Sequence, residues 1–233
     1  MKTKLLTCSI LAALCTTFLN AQIPQLSEEE KNQGWILLFD GTTSAGWVKP
    51  DGSPFPETGW KIDNGVLSVD PASGKGGDII TTTQYSDFEL SVDFKITQGA
   101  NSGIKYYILP GTSLGCEFQI LDDVNHPDAK LGKNYNRIQG ALYDLIRPCP
   151  SKRDMPIGEW NNARIVAKGN HVTHWLNGIN VLDYDRGSAQ FNELVAESKF
   201  KDEQGFATPI KAPILLQDHG DVVYFRNIKI RKL

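Results

Sequence analysis

The sequence predicts an all-β fold, a β-sandwich or jelly roll with one short helix. Many short segments alternate apolar and polar residues, turn residues separate them at regular intervals, and a single segment has helical apolar spacing. A β-strand has a side-chain period of two, whereas an amphipathic helix repeats its apolar positions every three to four residues. Many short strands joined by regular turns are typical of sandwiches and barrels. The sequence contains no internal repeat and no sign of a second domain.

The first residues have the pattern of a secretory signal peptide. Lys2 and Lys4 precede an apolar run that ends at Leu19, and Ala21 is the small residue expected before a cleavage site. We therefore expect residues 1–21 to be removed and the protein to be exported, to the periplasm or outside the cell.

Lipid attachment and membrane insertion are both disfavoured. Cys15 follows the bulky Leu14, which makes a poor lipid-attachment site, and no later apolar run is long enough to span a bilayer. N-terminal sequencing of the exported protein should therefore begin at or near Gln22, and a sequence that retains residues 1–21 would contradict this expectation.

The rest of the chain divides into a polar lead-in over residues 22–33 and one domain over residues 34–233. Beyond residue 21 there are 22 basic and 27 acidic residues, so the net charge is −5. This balance, with no basic cluster, argues against a nucleic-acid partner. Two cysteines remain, Cys116 and Cys149. Because Cys116 shares its strand face with apolar residues, we expect a buried free thiol rather than a disulfide.

Alternation and turn signals place the elements in order. Asp63-Asn64-Gly65 and Asn177-Gly178 are hairpin signals, and residues 88–96 form the cleanest alternation in the chain. The strands are predicted over residues 34–39, 60–62, 66–69, 78–81, 88–96, 104–109, 115–121, 163–167, 171–176, 179–182, 214–216 and 222–230. Ser27 and the acidic residues after it predict a capped helical turn or a mobile lead-in. The one helix is predicted over residues 188–201, where apolar residues recur at helical spacing.

The strand at residues 115–121 organises the functional prediction. Cys116, Phe118 and Ile120 lie on one face, and Glu117 and Gln119 on the other. Large hydrogen-bonding groups on the polar face favour the floor of a binding cleft, and a solvated sheet face is the alternative. The long connection over residues 122–150 is too apolar for disorder, so we expect it to fold over the sheet as part of a cleft wall.

Nine short motifs, taken in order, resemble the 3-keto-disaccharide hydrolase domain family, from about Gly34 to Leu233. They are Leu38-Phe39-Asp40-Gly41, Asp87-Phe88-Glu89-Leu90, Asn101-Ser102-Gly103-Ile104, Glu117-Phe118-Gln119-Ile120-Leu121-Asp122, Gly140-Ala141-Leu142-Tyr143-Asp144, Gly158-Glu159-Trp160-Asn161, His174-Trp175-Leu176-Asn177-Gly178, Leu216-Gln217-Asp218-His219-Gly220 and Phe225-Arg226-Asn227-Ile228. The family's fold is similar to the concanavalin-like jelly roll of lectins and laminarinases. Lys105 stands where many members have arginine.

The resemblance implies a glycoside or oligosaccharide substrate whose sugar ring carries a ketone at carbon 3. Such a ketone acidifies the proton on carbon 2, and its removal leads to expulsion of the glycosidic oxygen, after which water adds back. The route needs a base and a group that stabilises the enolate oxygen, either hydrogen-bond donors or one divalent metal ion. It does not need the paired carboxylates of ordinary glycosidases.

Two residues are candidates for the base. Glu117 is the first, as a base or a metal ligand, and a solvated strand carboxylate is its alternative interpretation. His174 is the second, because an imidazole titrates near neutral pH. Its strand parity matches Val172 and Leu176, so a hydrogen-bonded core histidine is its alternative interpretation. The substrate-binding candidates are Asp78, Asn101, Lys105, Gln119, Asp122, Gln217 and His219, with Lys105 placed to stabilise an enolate and Gln119 to bind hydroxyls.

The sequence is compatible with a metal site and with more than one type of binding surface. Asp122, His126 and Asp128 could bind a metal, but their spacing matches no standard zinc or calcium loop. Trp47, Trp60 and Trp175 could stack on sugars, although tryptophans in small sandwiches are more often core residues. The alternative function is a non-catalytic carbohydrate-binding module on the same fold. Dispersed acidic residues give little support to a calcium-stabilised adhesion domain. The sequence does not indicate an oligomeric state.

Overall fold

The computed structural model describes residues 23–233, so the predicted signal peptide lies outside the described residues. Within that range no helix is long and apolar enough to cross a membrane. The elements, in chain order, are α1 (Glu28–Asn32), β1 (Ile36–Leu37), β2 (Trp47–Val48), β3 (Gly59–Asp63), β4 (Val66–Asp70), β5 (Ile79–Tyr85), β6 (Phe88–Ile96), β7 (Asn101–Tyr106), β8 (Cys116–Leu121), β9 (Asn161–Lys168), β10 (His171–Leu176), β11 (Ile179–Asp185), α2 (Ala189–Glu197), β12 (Ala212–Leu216) and β13 (Val223–Lys232). Two short 3₁₀ helices cover Pro71–Ser73 and Pro127–Lys130.

The strands form two antiparallel sheets that pack face to face. The first sheet has the order β11-β10-β9-β6-β13-β4-β3, with β1 also paired to β13. The second sheet has the order β2-β5-β12-β7-β8. Aromatic residues join the two layers: Phe94 of the first sheet meets Phe118 of the second edge to face, with ring centroids 6.4 Å apart. The predicted all-β jelly-roll sandwich is confirmed.

The alternation of residues produces this core directly. On β6 the apolar residues point into the sandwich and are buried, while the intervening residues lie on the outer face of the first sheet. On β8 the residues Cys116, Phe118 and Ile120 belong to the core, as predicted. Both remaining cysteines are free thiols, as expected, and burial raises the pKa of Cys116 to about 11.

The helices differ slightly from the prediction. The lead-in forms a short helix, because Ser27 and Glu30 complete a capping box in which each side chain accepts from the other's backbone N–H. The second helix begins after Ser188, whose Oγ accepts from the N–H of Phe191, and ends at Glu197 rather than at residue 201. The described residues therefore contain two α-helices instead of one.

The structure corrects the assignment of His174 as an alternative base. Its imidazole lies between the sheets with no exposed surface. Nε2 lies 2.6 Å from the hydroxyl of Tyr106, and Nδ1 lies 3.2 Å from the carbonyl of Gly140. Burial lowers the pKa of His174 to about 3. A neutral imidazole enclosed on all sides has no path to a substrate, so the core-histidine alternative is the correct one.

This burial predicts a specific loss of stability in acid. The ordinary histidine pKa is 6.5 and the folded pKa is about 3, so the unfolded chain binds the extra proton first as pH falls through this interval. Stability should fall by about 1.4 kcal/mol per pH unit from this residue alone. Glutamine can form hydrogen bonds but does not titrate. Denaturant unfolding between pH 6 and pH 4 should therefore show that His174→Gln loses less stability per pH unit than the wild type. Equal slopes in both proteins would contradict the assignment.

Candidate active site

The outer face of the second sheet carries the polar residues that the sequence singles out. The register between β7 and β8 places Lys105 opposite Glu117 and Gly103 opposite Gln119. Side chains on one face of neighbouring antiparallel strands lie next to each other at such paired positions. Glu117 and Gln119 therefore face away from the core, on the same surface as Lys105.

Two further strands extend this face. The backbone N–H of Gln217, just after β12, donates to the carbonyl of Gly103 at 3.0 Å. The carboxylate of Asp78, just before β5, accepts from the N–H of Asp218 at 2.9 Å. The structure therefore brings Asp78, Gln217 and Gln119 into one row across the sheet. The Gln217 Oε1 atom is buried and has no partner within residues 23–233, so it is available to a ligand.

Glu117 is the electrostatic centre of the face. Only 6% of the residue is exposed, and Lys105 Nζ lies 3.7 Å from its Oε2 atom. Burial raises the pKa of Glu117, and the positive charges of Lys105 and Lys199 offset part of that rise. A carboxylate whose pKa is raised in this way is a stronger base than an exposed one.

Gly103 provides the space that the Glu117 carboxylate occupies. A Cβ atom at position 103 would lie 2.1 Å from Glu117 Oε1 and 2.8 Å from its Cδ. No side chain fits at that distance, so the carboxylate lies across the backbone of β7. With the carboxylate in this position only glycine fits at residue 103. The reason is the close approach and not the backbone conformation, because Gly103 does not have a positive φ.

A neighbouring amide pair completes this part of the surface. Gln119 Nε2 donates to Asn101 Oδ1 at 3.3 Å. With the amide rotated by 180°, the same nitrogen would donate to Glu117 Oε1 at 3.2 Å. Either orientation places a polar group beside the carboxylate, which fits recognition of sugar hydroxyls.

The wall of the cleft comes from segments that lie far from Glu117 in sequence. A cavity of about 320 Å³ is lined by Lys105, Glu117, Lys199, Phe200 and Glu203, among others. Sequence reasoning missed Lys199, because no motif or periodicity connects the end of α2 with β8. The long connection packs along β8, since the N–H of Tyr143 donates to the carbonyl of Glu117 at 3.0 Å, but none of its residues lines this cavity.

Larger cavities elsewhere lack this combination of groups. One of about 890 Å³ lies between α2 and the residues around Asp144, and one of about 670 Å³ lies beside the lead-in. Neither is lined by Glu117 or by a residue of the polar row formed by Asp78, Gln217 and Gln119. We therefore place the candidate active site at the smaller cavity around Glu117.

Comparisons with known proteins identify the family of the chain. Residues 34–231 match the family described as the 3-keto-alpha-glucoside-1,2-lyase-like domain. The chain belongs to this family. A 3-keto-disaccharide hydrolase from Bacteroides thetaiotaomicron is 34% identical, over 91% of this chain and 83% of that protein. The resemblance carried by the nine motifs is thereby confirmed, and the protein is a glycoside-cleaving enzyme.

Solved structures support the same fold. The crystal structure of a candidate glycosyl hydrolase from Parabacteroides distasonis is 32% identical, with a TM-score of 0.80. The match covers 90% of this chain and 99% of that chain. A carbohydrate-binding module, CBM66 from Bacillus subtilis, has a TM-score of 0.50 at 12% identity, covering 80% of this chain and 96% of that one. The second similarity shows the fold alone.

The structure corrects the placement of Asp122 among substrate-binding residues. Its Oδ2 atom accepts from the N–H of Gly99 at 2.8 Å and from Asn125 Nδ2 at 2.7 Å. Its Oδ1 atom accepts from two further N–H groups, those of Val124 and Asn125. Burial alone would raise the pKa of Asp122, but these hydrogen bonds outweigh it and the pKa is lowered. The carboxylate holds a turn together.

The expected grouping of Asp122, His126 and Asp128 is not formed. Asp128 pairs with Arg137 at 2.9 Å, and Asp122 holds its own turn. His126 lies instead beside His219 and Asp221, and one ligand atom from each of the three lies within 4.8 Å of the others. Among the described residues this is a possible metal-binding group. Sequence spacing could not reveal it, since the histidines come from separate loops.

The three tryptophans considered as sugar platforms are placed elsewhere. Trp47 and Trp60 are buried in the core. Trp175 lies on the first sheet, where Arg164 covers its ring at 4.5 Å. None of them lines the cavity around Glu117.

The close approach at Gly103 predicts the effect of a single methyl group. Gly103→Ala should leave the fold intact, because the backbone conformation suits alanine and the clash involves the end of a flexible side chain. The Glu117 carboxylate must then move, and kcat on the substrate proposed below should fall about 10-fold or more. Steady-state kinetics alongside thermal unfolding test this. Unchanged kcat in a folded variant would show that the carboxylate position is not important.

Proposed function

We propose that the protein cleaves the glycosidic bond of 3-keto glycosides by removal of the proton on carbon 2, elimination and hydration. The observation that carries this proposal is the buried Glu117 carboxylate, whose pKa burial raises, beside Lys105 in a polar cleft. The similarity to the 3-keto-disaccharide hydrolase supports the choice of substrate. The apolar segment over residues 1–21 supports export of the enzyme.

The reaction needs one base and one site for negative charge. Glu117 takes the proton from carbon 2, and the electrons of that C–H bond form an enolate with its charge on the carbon 3 oxygen. The enolate then reforms the ketone, a double bond forms between carbons 1 and 2, and the glycosidic oxygen leaves with a proton from the solvent. Glu117 exchanges its proton with the solvent. Water then adds its oxygen to carbon 1 and returns one proton to the solvent, and carbon 2 receives a solvent-derived proton from Glu117.

The neighbouring polar groups would bind the sugar. Gln119 lies beside the carboxylate and donates to Asn101, and the buried Gln217 Oε1 atom lacks a partner within the described residues. An unpaired buried acceptor costs free energy unless a ligand donor satisfies it. Sugar hydroxyls supply such donors, so Gln217, Asp78 and Asn101 are proposed to hold the ring with carbon 2 facing Glu117.

A divalent metal ion is proposed to bind at one end of the same face. His126 Nδ1 accepts from the N–H of Asp128 at 3.1 Å, which leaves Nε2 as the ligand nitrogen. The Asp221 carboxylate accepts from the N–H of Asn101 at 3.0 Å, so the group adjoins the substrate-binding row. An imidazole and carboxylate donor set suits zinc or manganese. A bound ion would supply a Lewis acid for sugar oxygens.

The metal proposal has a direct test that does not use activity. Calorimetric titration of the metal-free protein with Mn²⁺ or Zn²⁺ should give one site, and His219→Ala should abolish it. His171→Ala is the control, because His171 pairs with Asp185 on the other sheet. Equal binding by the wild type and His219→Ala would place the ion elsewhere.

A second candidate function is ordinary glycoside hydrolysis by two carboxylates. Glu203 lines the same cavity as Glu117, and a carboxylate pair across a sugar is the usual arrangement of glycosidases. The choice of substrate distinguishes elimination from ordinary hydrolysis. An ordinary glycosidase cleaves unoxidised glucosides, whereas elimination requires the ketone.

The proposal predicts isotope incorporation at one carbon. In deuterated water the 3-keto sugar product should carry deuterium at carbon 2 beyond the background exchange of the free ketone, and unoxidised glucosides should stay intact. Glu117→Gln should slow cleavage about 10²-fold or more, because amide nitrogen cannot act as the base. Glu89→Gln is the matched control: Glu89 is also a buried, ion-paired carboxylate, but its partners are arginines and it lies on the first sheet. An unlabelled product, or full activity of Glu117→Gln, would exclude this mechanism.

The raised pKa of Glu117 also determines how kcat/KM depends on pH. Below its pKa Glu117 is protonated and cannot accept the substrate proton, so kcat/KM should fall as pH decreases. Because burial raises the pKa, this acid limb should lie at higher pH than the ordinary glutamate value of 4.5. An acid limb at or below that value would mean that another group is the base.

A further inference from the structure

We propose that Lys199 is the cation that stabilises the negative charge on the carbon 3 oxygen after Glu117 removes the carbon 2 proton. This inference rests on the proposed function and assigns the second group that the reaction requires. The sequence suggested Lys105 for this role. Three structural observations favour Lys199 instead.

The first observation is that Lys199 is held at the cleft by its backbone. It follows directly after Ser198, which ends α2, and its N–H donates to Asp144 Oδ2 at 2.8 Å. The other oxygen of Asp144 accepts from Arg137 Nε at 2.6 Å. Arg137 also binds Asp128, so the long connection and the end of α2 are fixed to each other.

The second observation is that the Lys199 ammonium group lies in the cavity without a protein acceptor. Its Nζ atom lies 4.3 Å from the ring centroid of Tyr143 and 5.1 Å from that of Phe200. It lines the same cavity of about 320 Å³ as Glu117. Among residues 23–233 no oxygen accepts a hydrogen bond from it, so all three ammonium protons are available to a ligand.

The third observation is that Lys105 is already engaged. Its Nζ atom donates to the carbonyl of Ser113 at 3.3 Å and lies 3.7 Å from Glu117 Oε2. Lys105 is therefore a positioning residue that holds the base, and the enolate role assigned to it from the sequence is reassigned. Lys199 is free to move to a new negative charge.

The charges in the cleft support the assignment of Lys105 to Glu117 and of Lys199 to the enolate oxygen. Before reaction the negative charge is on Glu117, and both lysines favour its ionised form. When Glu117 takes the proton, the negative charge appears on the enolate oxygen, which is two bonds away from carbon 2. Burial lowers the pKa of Lys199, and Lys105 and Arg137 lower it further, while the negative charges of Glu117 and Asp144 oppose this and favour the protonated form. A cation positioned where charge develops lowers the barrier most in a site shielded from water.

The experiment measures two rates in each variant. One is exchange of the carbon 2 proton with deuterated solvent, and the other is release of the leaving group. Two 3-keto glucosides are compared, one with a nitrophenyl and one with a methyl leaving group. Lys199→Ala should lower both rates about 10²-fold for both substrates. Lys199→Arg should retain more activity, and added ethylammonium should partly restore Lys199→Ala.

Lys201→Ala is the matched control, since Lys201 is an exposed lysine two residues further along the same segment and does not line the cavity. It should leave both rates unchanged. Thermal unfolding of each variant shows that the fold is retained. A purely structural role for Lys199 would not give rescue by ethylammonium.

Three outcomes would overturn the inference. If Lys199→Ala keeps wild-type exchange and release, Lys199 takes no part, although the proposed function stands. If exchange is normal and only the methyl glucoside is cleaved slowly, Lys199 protonates the leaving oxygen rather than stabilising the enolate. If the wild type neither exchanges nor cleaves either 3-keto glucoside, the proposed function fails and this inference with it.

Discussion

The Glu117 carboxylate, buried on the outer face of an edge strand, is the constraint on which the site depends. Taking an ionised carboxylate out of water costs several kcal/mol unless charges and hydrogen bonds compensate it. Lys105 supplies a charge, Gly103 supplies the space, and Lys199 adds a second cation. These compensations are partial, since the pKa of Glu117 stays above its ordinary value. The raised pKa means that the ionised carboxylate is a stronger base than an exposed one.

The same edge strand explains why the long connection is folded. An open edge would expose unpaired backbone groups, and proteins usually cover such edges. Here the N–H of Gly140 donates to Gln119 at 2.9 Å, and the N–H of Gln119 donates to Ala141 at 3.1 Å. This pairing continues to Tyr143, whose ring contacts Lys199. The segment that protects the edge therefore also places the Tyr143 ring beside Lys199, which lines the cavity.

Local periodicity predicted the parts of the structure that a single strand determines. The period of two assigned Glu117 and Gln119 to the outer face, and the parity of His174 with its apolar neighbours raised the core as the alternative interpretation. The role of Lys199 had no local signal, because its position depends on a helix end and on Asp144. The approach of His126 to His219 likewise depends on two loops that meet only in the folded chain. Prediction from the sequence therefore succeeded within strands and failed between loops.

The chemistry and the fold are consistent with each other in one further respect. Similar sandwiches include a carbohydrate-binding module, so the architecture presents a polar sheet face without specifying catalysis. Elimination from a 3-keto sugar needs only one base, since the ketone itself acidifies carbon 2. A binding surface could therefore become catalytic by burying one carboxylate opposite one free cation. Such a site needs no buried histidine, which agrees with the imidazole of His174 being enclosed in the core beside Tyr106.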